Sequence, residues 1–125
     1  MSQSFNDFIA VLRSVLTREE FSGALVYALE KPIPKGTRLQ FPGVKIDVAA
    51  NSRLAFVDRQ PMANWGHPAR YILVSEKNGT LSYETRFPPF NQTDKLNWLI
   101  VYKAATVPGI AIGKFKLAPV LISAN

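Results

Sequence analysis

The chain of 125 residues contains no cysteine. This absence excludes disulfide bridges, thiolate metal sites, iron–sulfur clusters and cysteine nucleophiles. It fits a reducing compartment, and we expect a cytoplasmic location. Histidine is almost as scarce, since His67 is the only one. A transition-metal site would therefore need oxygen ligands, which suit harder cations better, so we expect neither a metal nor a cofactor.

Long apolar runs and targeting segments are also missing. The longest compact apolar run, Trp98-Leu-Ile-Val-Tyr102, is far shorter than the roughly 20 residues of a membrane span. The first residues lack the basic region and the apolar stretch of a signal peptide. We therefore expect a soluble protein without a membrane partner. A hydrophobic fraction of 47% and a charged fraction of 19% are those of a globular protein, and the length fits a single domain over residues 1–125.

The net charge of +6 is unevenly distributed. Residues 1–30 carry two basic and four acidic side chains, whereas residues 31–125 carry 13 basic and five acidic ones. This basic part could attract a nucleic acid or another polyanion. The basic residues form no run, however, which favours an ordinary solvated surface. The segment Gly109-Ile-Ala-Ile-Gly-Lys-Phe115 has neither the spacing nor the hydroxyl residue of a phosphate-binding loop.

The first 30 residues are predicted to be helical. Ser4 is a typical N-cap, and apolar residues then recur at helical spacing from Phe5 to Leu16. Thr17-Arg-Glu-Glu20 matches a capping box, which predicts a second helix that continues to Leu29. Gly23 weakens this prediction, and the alternation of Leu25, Tyr27 and Leu29 would also permit a strand. We favour the helix, ended by the prolines that follow.

The remainder, residues 31–125, is predicted to be rich in β-strands. Short apolar or alternating segments are separated by turn residues, and Asn78-Gly79 predicts a tight hairpin. Short connections require antiparallel neighbours. The expected fold class is α+β: two N-terminal helices followed by a mostly antiparallel sheet of roughly six or seven strands, as a sandwich or a partly open barrel. The predicted strands cover residues 36–41, 44–48, 54–58, 70–76, 81–87, 96–103 and 110–117, with a last short one at 120–122.

The segment between the strands predicted at 54–58 and 70–76 carries the most informative residues. A loop rich in polar and aromatic groups between two strands is a common place for binding or chemistry. Aromatic residues and arginines anchor protein interfaces and stack on bases or sugars. The simpler alternative is that Trp65 closes one end of the core and that Arg70 lies across it, with its stem on apolar surface. The candidate binding residues are Arg59, Asn64, Trp65, His67, Arg70 and Tyr71.

His67 permits a catalytic hypothesis as well. An imidazole oriented by the carboxylate of Asp58 could act as a general base in a hydrolase-type enzyme. This hypothesis requires the two side chains to meet within hydrogen-bonding distance at the mouth of a pocket. The alternative is that His67 holds the loop in shape through hydrogen bonds to the backbone.

Three functions remain open at this point. The first is a non-enzymatic binding module that uses the 58–71 loop to contact an unknown protein partner or a second copy of itself. The apolar C-terminal segment 117–123 is consistent with self-association, because it could pair as an edge strand or dock on a neighbouring subunit. The second is binding of nucleic acid or a polyanion, and the third is the hydrolase with His67 and Asp58. We favour the first.

Overall fold

The N-terminal helix forms as predicted. The structure is a computed structural model that describes residues 4–63, 66–77, 79–90 and 97–123. Helix α1 spans Phe5–Val15, and the hydroxyl of Ser4 accepts a hydrogen bond from the Asp7 N–H at 3.0 Å. Phe8, Ile9 and Leu12 form its buried face.

The second helix is much shorter than expected. Helix α2 spans Arg18–Gly23, and Thr17 and Glu20 form the predicted capping box. The prediction that it continues to Leu29 is wrong, because strand β1 occupies Leu25–Leu29. All five residues of β1 are buried. A strand covered on both faces is apolar throughout, and such a short apolar run cannot be distinguished from a helical segment by its periodicity.

A six-stranded, mostly antiparallel sheet forms the centre of the molecule, which confirms the α+β class. Beyond β1, its strands are β4 (Ser52–Asp58), β5 (Ala69–Ser75), β6 (Gly79–Thr85), β7 (Trp98–Lys103) and β8 (Lys116–Leu117). Their order in the sheet is β6-β5-β4-β1-β7-β8, and only β7 and β8 are parallel. Strands β4, β5 and β6 pair with their neighbours in the chain, whereas β1 pairs with β4 and β7 from distant parts of the sequence.

Two of the predicted strands form a separate hairpin instead of joining this sheet. Strands β2 (Arg38–Phe41) and β3 (Val44–Asp47) pair with each other alone. The turn between them places Gly43 at φ 78°, a conformation that glycine adopts without strain. The alternating burial of β3 shows one face packed on the molecule and the other in water.

The C-terminal part contains less strand than predicted. Residues Gly109–Ile112 form a short 3-10 helix, and only Lys116–Leu117 pair with β7. The prediction of a strand over residues 110–117 is therefore wrong for most of its length. Gly113, at φ 58°, separates the two elements. Residues 120–122 are not a strand, although the Ile122 N–H donates to the Val101 carbonyl at 2.7 Å.

The core has two layers, one on each face of the central sheet. On one face the apolar side of α1 packs against residues of the sheet such as Val26, Val57 and Ile72. On the other face the β2–β3 hairpin covers an aromatic layer, which consists of Tyr27, Phe41, Phe56, Tyr71, Phe90, Trp98 and Phe115. Within the described part of the chain, no helix has the length and apolar character needed to cross a membrane.

Candidate functional site

The candidate loop connects β4 to β5 at one end of the sheet. Asp58 and Ala69 are the last paired residues of these two strands. The loop is described at residues 59–63 and 66–68. Asn64 and Trp65, two of the candidate binding residues, lie outside the described residues, so their proposed role stays a prediction.

His67 and Asp58 meet, as the catalytic hypothesis requires. The imidazole Nε2 lies 2.7 Å from the Asp58 Oδ1. The same carboxylate oxygen accepts a hydrogen bond from the Gln60 N–H at 3.0 Å, and the His67 N–H donates to the Arg86 carbonyl at 2.9 Å. The pair therefore fastens the loop to the end of β4 and to the residue that follows β6.

The pair lies in an interior position. His67 is 8% exposed and Asp58 is 7% exposed. Burial raises the pKa of the Asp58 carboxyl above its usual value, even though His67 acts in the opposite direction. Burial, with a smaller contribution from the charge of Asp58, also raises the pKa of Tyr27. A buried imidazole that already holds a carboxylate has little access to a substrate, which favours a role in the architecture of the loop.

Arg59 and Arg70 converge on one buried carboxylate that sequence reasoning missed. Glu20 is 1% exposed, although it belongs to the short helix α2. Its Oε2 accepts hydrogen bonds from the Nε atoms of Arg59 at 2.9 Å and Arg70 at 2.8 Å, and its Oε1 accepts one from Arg70 Nη2 at 2.7 Å. Burial would raise the pKa of Glu20, but the hydrogen bonds from Arg70, the Thr17 N–H and Arg59 together hold it below its usual value.

Both arginines make further contacts within the chain. Arg59 binds the Glu84 carboxylate through two N–H groups at 2.7 and 3.1 Å. Arg70 donates to the Ser82 hydroxyl at 3.1 Å and to the Val15 carbonyl at 3.0 Å. These bonds join the helices to strands β5 and β6. The guanidinium groups that we expected to anchor a partner are therefore already engaged by the protein itself.

Tyr71 belongs to the aromatic layer. Its side chain is fully buried, and its ring stacks on Phe41 with centroids 4.7 Å apart and an interplanar angle of 13°. Its hydroxyl and the Trp98 Nε1 are buried without a hydrogen-bond partner in the described structure. A partner molecule cannot reach Tyr71 unless the β2–β3 hairpin moves away.

Three exposed apolar side chains lie on β6, just after it and in the loop. Leu81 on β6 is 41% exposed, and Phe87, shortly after β6, is 49% exposed. Met62 in the loop is also exposed. A Cβ atom added at Gly66 would lie 3.0 Å from Phe87 Cε1, so the phenylalanine ring packs closely against the loop backbone. The alternating sequence of β6 indicates a strand, but it does not indicate that this strand lies at the edge of the sheet.

The remaining candidates are a metal site and a polyanion site. Among the described residues, no group of three or more acidic or imidazole side chains could hold a metal ion. Lys114 and Lys116 line an open cavity of about 350 Å³ together with Trp98 and Phe115. Glu30 also lines this cavity, and the predicted binding of a polyanion stays a prediction.

Comparison with known proteins adds no functional information. The chain matches no protein-family model, and no curated protein or solved structure matches it.

Proposed function

We propose that the protein is a non-enzymatic binding module that takes up an extended segment of a protein partner as an additional strand along β6. In this mode the main chain of the edge strand supplies hydrogen bonds, and alternate side chains supply selectivity. The proposal keeps the interaction module expected from the sequence. It moves the contact surface from the loop to the neighbouring strand.

The observation that carries the proposal is the regularity of β6 at the edge of the sheet. All seven of its residues pair with β5, from Ala69 with Thr85 to Ser75 with Gly79, without a shift in register. Its outer side pairs with nothing in the part of the chain that the structure describes. A long, regular edge strand offers a row of backbone donors and acceptors to another chain.

The usual protections of an edge strand are missing from β6. Proteins commonly block such edges with lysine, proline or a β-bulge. The sequence Gly-Thr-Leu-Ser-Tyr-Glu-Thr contains no lysine or proline, and its pairing has no bulge. The single charged residue, Glu84, is bound by Arg59. Nothing in the sequence of this strand opposes the addition of another strand.

The side chains of β6 separate into an apolar and a polar face. Leu81 lies opposite Leu73, and Tyr83 lies opposite Tyr71, so both belong to the aromatic side of the sheet. The other face carries Thr80, Ser82 and Glu84. An added strand with apolar residues at alternate positions would therefore cover Leu81, which is otherwise exposed to water.

In this proposal the 58–71 loop supports the edge instead of contacting the partner. The His67–Asp58 pair fixes the loop, and Arg59 and Arg70 tie β6 to the helices through Glu84 and Ser82. A rigid edge loses less conformational entropy when a partner binds.

The test uses a displayed library of random peptides long enough to cover β6. Peptides selected on the wild-type protein should keep most of their affinity for the Ser82→Ala variant and should lose binding to Ser82→Pro. Proline removes the backbone N–H at this position, whereas alanine removes only the hydroxyl that Arg70 contacts. The proposal fails if no peptide is enriched, or if the selected peptides bind Ser82→Pro as well as Ser82→Ala.

The hydrolase hypothesis retains one supporting observation, the 2.7 Å contact between His67 and Asp58. It would require turnover of simple activated esters that is lost in both the His67→Ala and the Asp58→Asn variants. Turnover that survives both substitutions, or none in the wild type, would remove this hypothesis.

A further inference from the structure

We infer that the partner of β6 is the β6 strand of a second copy of this chain, paired antiparallel about a two-fold axis at Ser82. The inference rests on the proposed function, since it names the strand that this edge accepts. Two six-stranded sheets would join into one continuous sheet across the axis.

Every second residue of β6 directs its backbone N–H and carbonyl away from β5. The N–H and carbonyl of Ser52 both bond to Ile33, on the β1 side of β4. Because bonding directions alternate along an antiparallel pair, the same groups of Ser75, which lies opposite Ser52, point toward β6. Ser75 lies opposite Gly79, so the groups of Gly79 point toward β5.

The same alternation then continues along β6. The backbone groups of Leu81, Tyr83 and Thr85 bond to β5, as do those of Gly79. The outward groups are therefore those of Thr80, Ser82 and Glu84, which are evenly spaced around the middle of the strand.

The outward-facing backbone groups determine the register of the pairing. With the axis at Ser82, this residue lies opposite its own copy, and Thr80 lies opposite Glu84. All three outward-facing residues are then matched, and each such pair exchanges two N–H···O bonds. A shift that centres the axis on Leu81 or on Tyr83 leaves one of the three without a partner inside the strand. Only the register centred on Ser82 uses the whole edge.

The side chains of β6 also fit those of a second copy. In this register Leu81 lies opposite Tyr83 of the second copy, so the exposed leucine gains an aromatic neighbour on the same face. Glu84 faces a threonine and not another carboxylate, and its charge is already matched by Arg59. The strand is therefore complementary to itself in hydrogen bonding, apolar contact and charge, as a symmetric interface must be.

Crosslinking provides the experiment, because the natural chain contains no cysteine. Opposite residues of a hydrogen-bonded pair have Cα atoms about 5.5 Å apart, which permits a disulfide. Under mild oxidation Ser82→Cys should therefore form a covalent dimer in high yield. Thr80→Cys alone should not, since its two copies would lie about 13 Å apart along the strand. A mixture of Thr80→Cys and Glu84→Cys chains should crosslink to each other.

Sedimentation measures the same association without a crosslink. The wild-type chain of 13.9 kDa should approach twice this mass as concentration rises. Ser82→Pro should raise the dissociation constant of the dimer by about tenfold to a hundredfold, because both hydrogen bonds at the axis use the Ser82 N–H groups. Ser82→Ala is the matched comparison, because it loses the hydroxyl that Arg70 contacts but keeps the backbone N–H, and it should raise the dissociation constant much less than Ser82→Pro does.

The inference is overturned if the wild type stays monomeric at all concentrations, or if Ser82→Cys crosslinks no better than Thr80→Cys. Preferential crosslinking of Thr80→Cys with Ser82→Cys would overturn the register. These failures differ from failure of the proposed function. If selected peptides still require the Ser82 N–H while the chain stays monomeric, strand addition stands and the second copy is not the partner.

Discussion

The guanidinium of Arg70 on β5 donates two hydrogen bonds, of 2.7 and 2.8 Å, to the carboxylate of Glu20 on α2. The two residues are 50 positions apart in the sequence. Arg59 donates to the same carboxylate. A buried carboxylate is tolerated only when it is paired and hydrogen-bonded, and here two cations and a backbone N–H meet it. This contact sets where the helices sit relative to the edge of the sheet.

Loss of the Glu20 charge should therefore be costly. We expect Glu20→Gln to lower the free energy of unfolding by roughly 3 kcal/mol, since it leaves two guanidinium groups without their shared partner. Glutamine preserves the capping box, so the effect does not come from the helix end. Urea denaturation gives the measurement.

Glu84→Gln is the matched control, because it makes the same chemical change to another carboxylate that binds Arg59. The Glu84 side chain is 66% exposed, and we expect a loss below about 1 kcal/mol. Equal losses for the two variants would contradict the central role of Glu20.

Acid should weaken the same contact. The pKa of Glu20 is held below its value of 4.5 in the unfolded chain. A lowered pKa in the folded state contributes stability above the unfolded value, and this contribution is lost as the pH falls through the folded value. Below about pH 4.5 we expect the free energy of unfolding to decrease in the wild type and to change less in Glu20→Gln. Urea titrations of both proteins over a series of pH values measure this difference. If the free energies of unfolding of the two proteins change with pH in parallel, Glu20 is not the cause of the acid sensitivity.

Local signals in the sequence were sufficient for much of the fold. The cap at Ser4, the capping box at Thr17 and the turn glycine at position 79 each act within a few residues, and the corresponding elements form. The error at Leu25–Leu29 has a different origin. Its helical or extended conformation depends on strands β4 and β7, which cover both its edges and come from distant parts of the sequence.

The candidate site was predictable in part. The histidine and the carboxylate that could meet were identifiable, because Asp58 and His67 flank one loop. Their burial was not identifiable, since it depends on how the loop packs on the residues that follow β6. The sequence also did not predict that Glu20 binds Arg59 and Arg70, because a capping residue normally has no second role. The position of β6 at the edge follows only from the order of the strands.

Removal of the His67 imidazole should destabilise the loop in a pH-dependent way. We expect His67→Ala to cost about 1–3 kcal/mol, since the buried Asp58 loses a hydrogen-bond partner. The two influences of His67 that lower the pKa of Asp58 also disappear, so this pKa rises further above its usual value. A raised pKa in the folded state means that stability is lost as the pH rises through it.

The loss in His67→Ala should therefore grow between about pH 4 and pH 7. Urea titrations at both pH values measure it. His67→Gln retains a side chain able to hydrogen-bond with Asp58 and should lose less. If His67→Ala is as stable as the wild type at both pH values, the His67–Asp58 pair does not hold the loop.

The Tyr71 hydroxyl yields the final prediction, because it is buried without a partner in the described structure. A buried polar group without a hydrogen bond opposes folding, so its removal should not destabilise the protein. We expect Tyr71→Phe to leave the unfolding free energy unchanged or to increase it by about 1 kcal/mol.

Tyr102→Phe is the comparison, because the Tyr102 hydroxyl donates to the Phe21 carbonyl. It removes the same oxygen atom from a tyrosine whose hydroxyl makes a hydrogen bond, and we expect the free energy of unfolding to fall by about 1 kcal/mol. In thermal and urea unfolding, Tyr102→Phe should therefore be the less stable of the two variants. If Tyr71→Phe is the more damaging change, then the Tyr71 hydroxyl has a hydrogen-bond partner in solution, and an ordered water beneath the β2–β3 hairpin would be the group to look for.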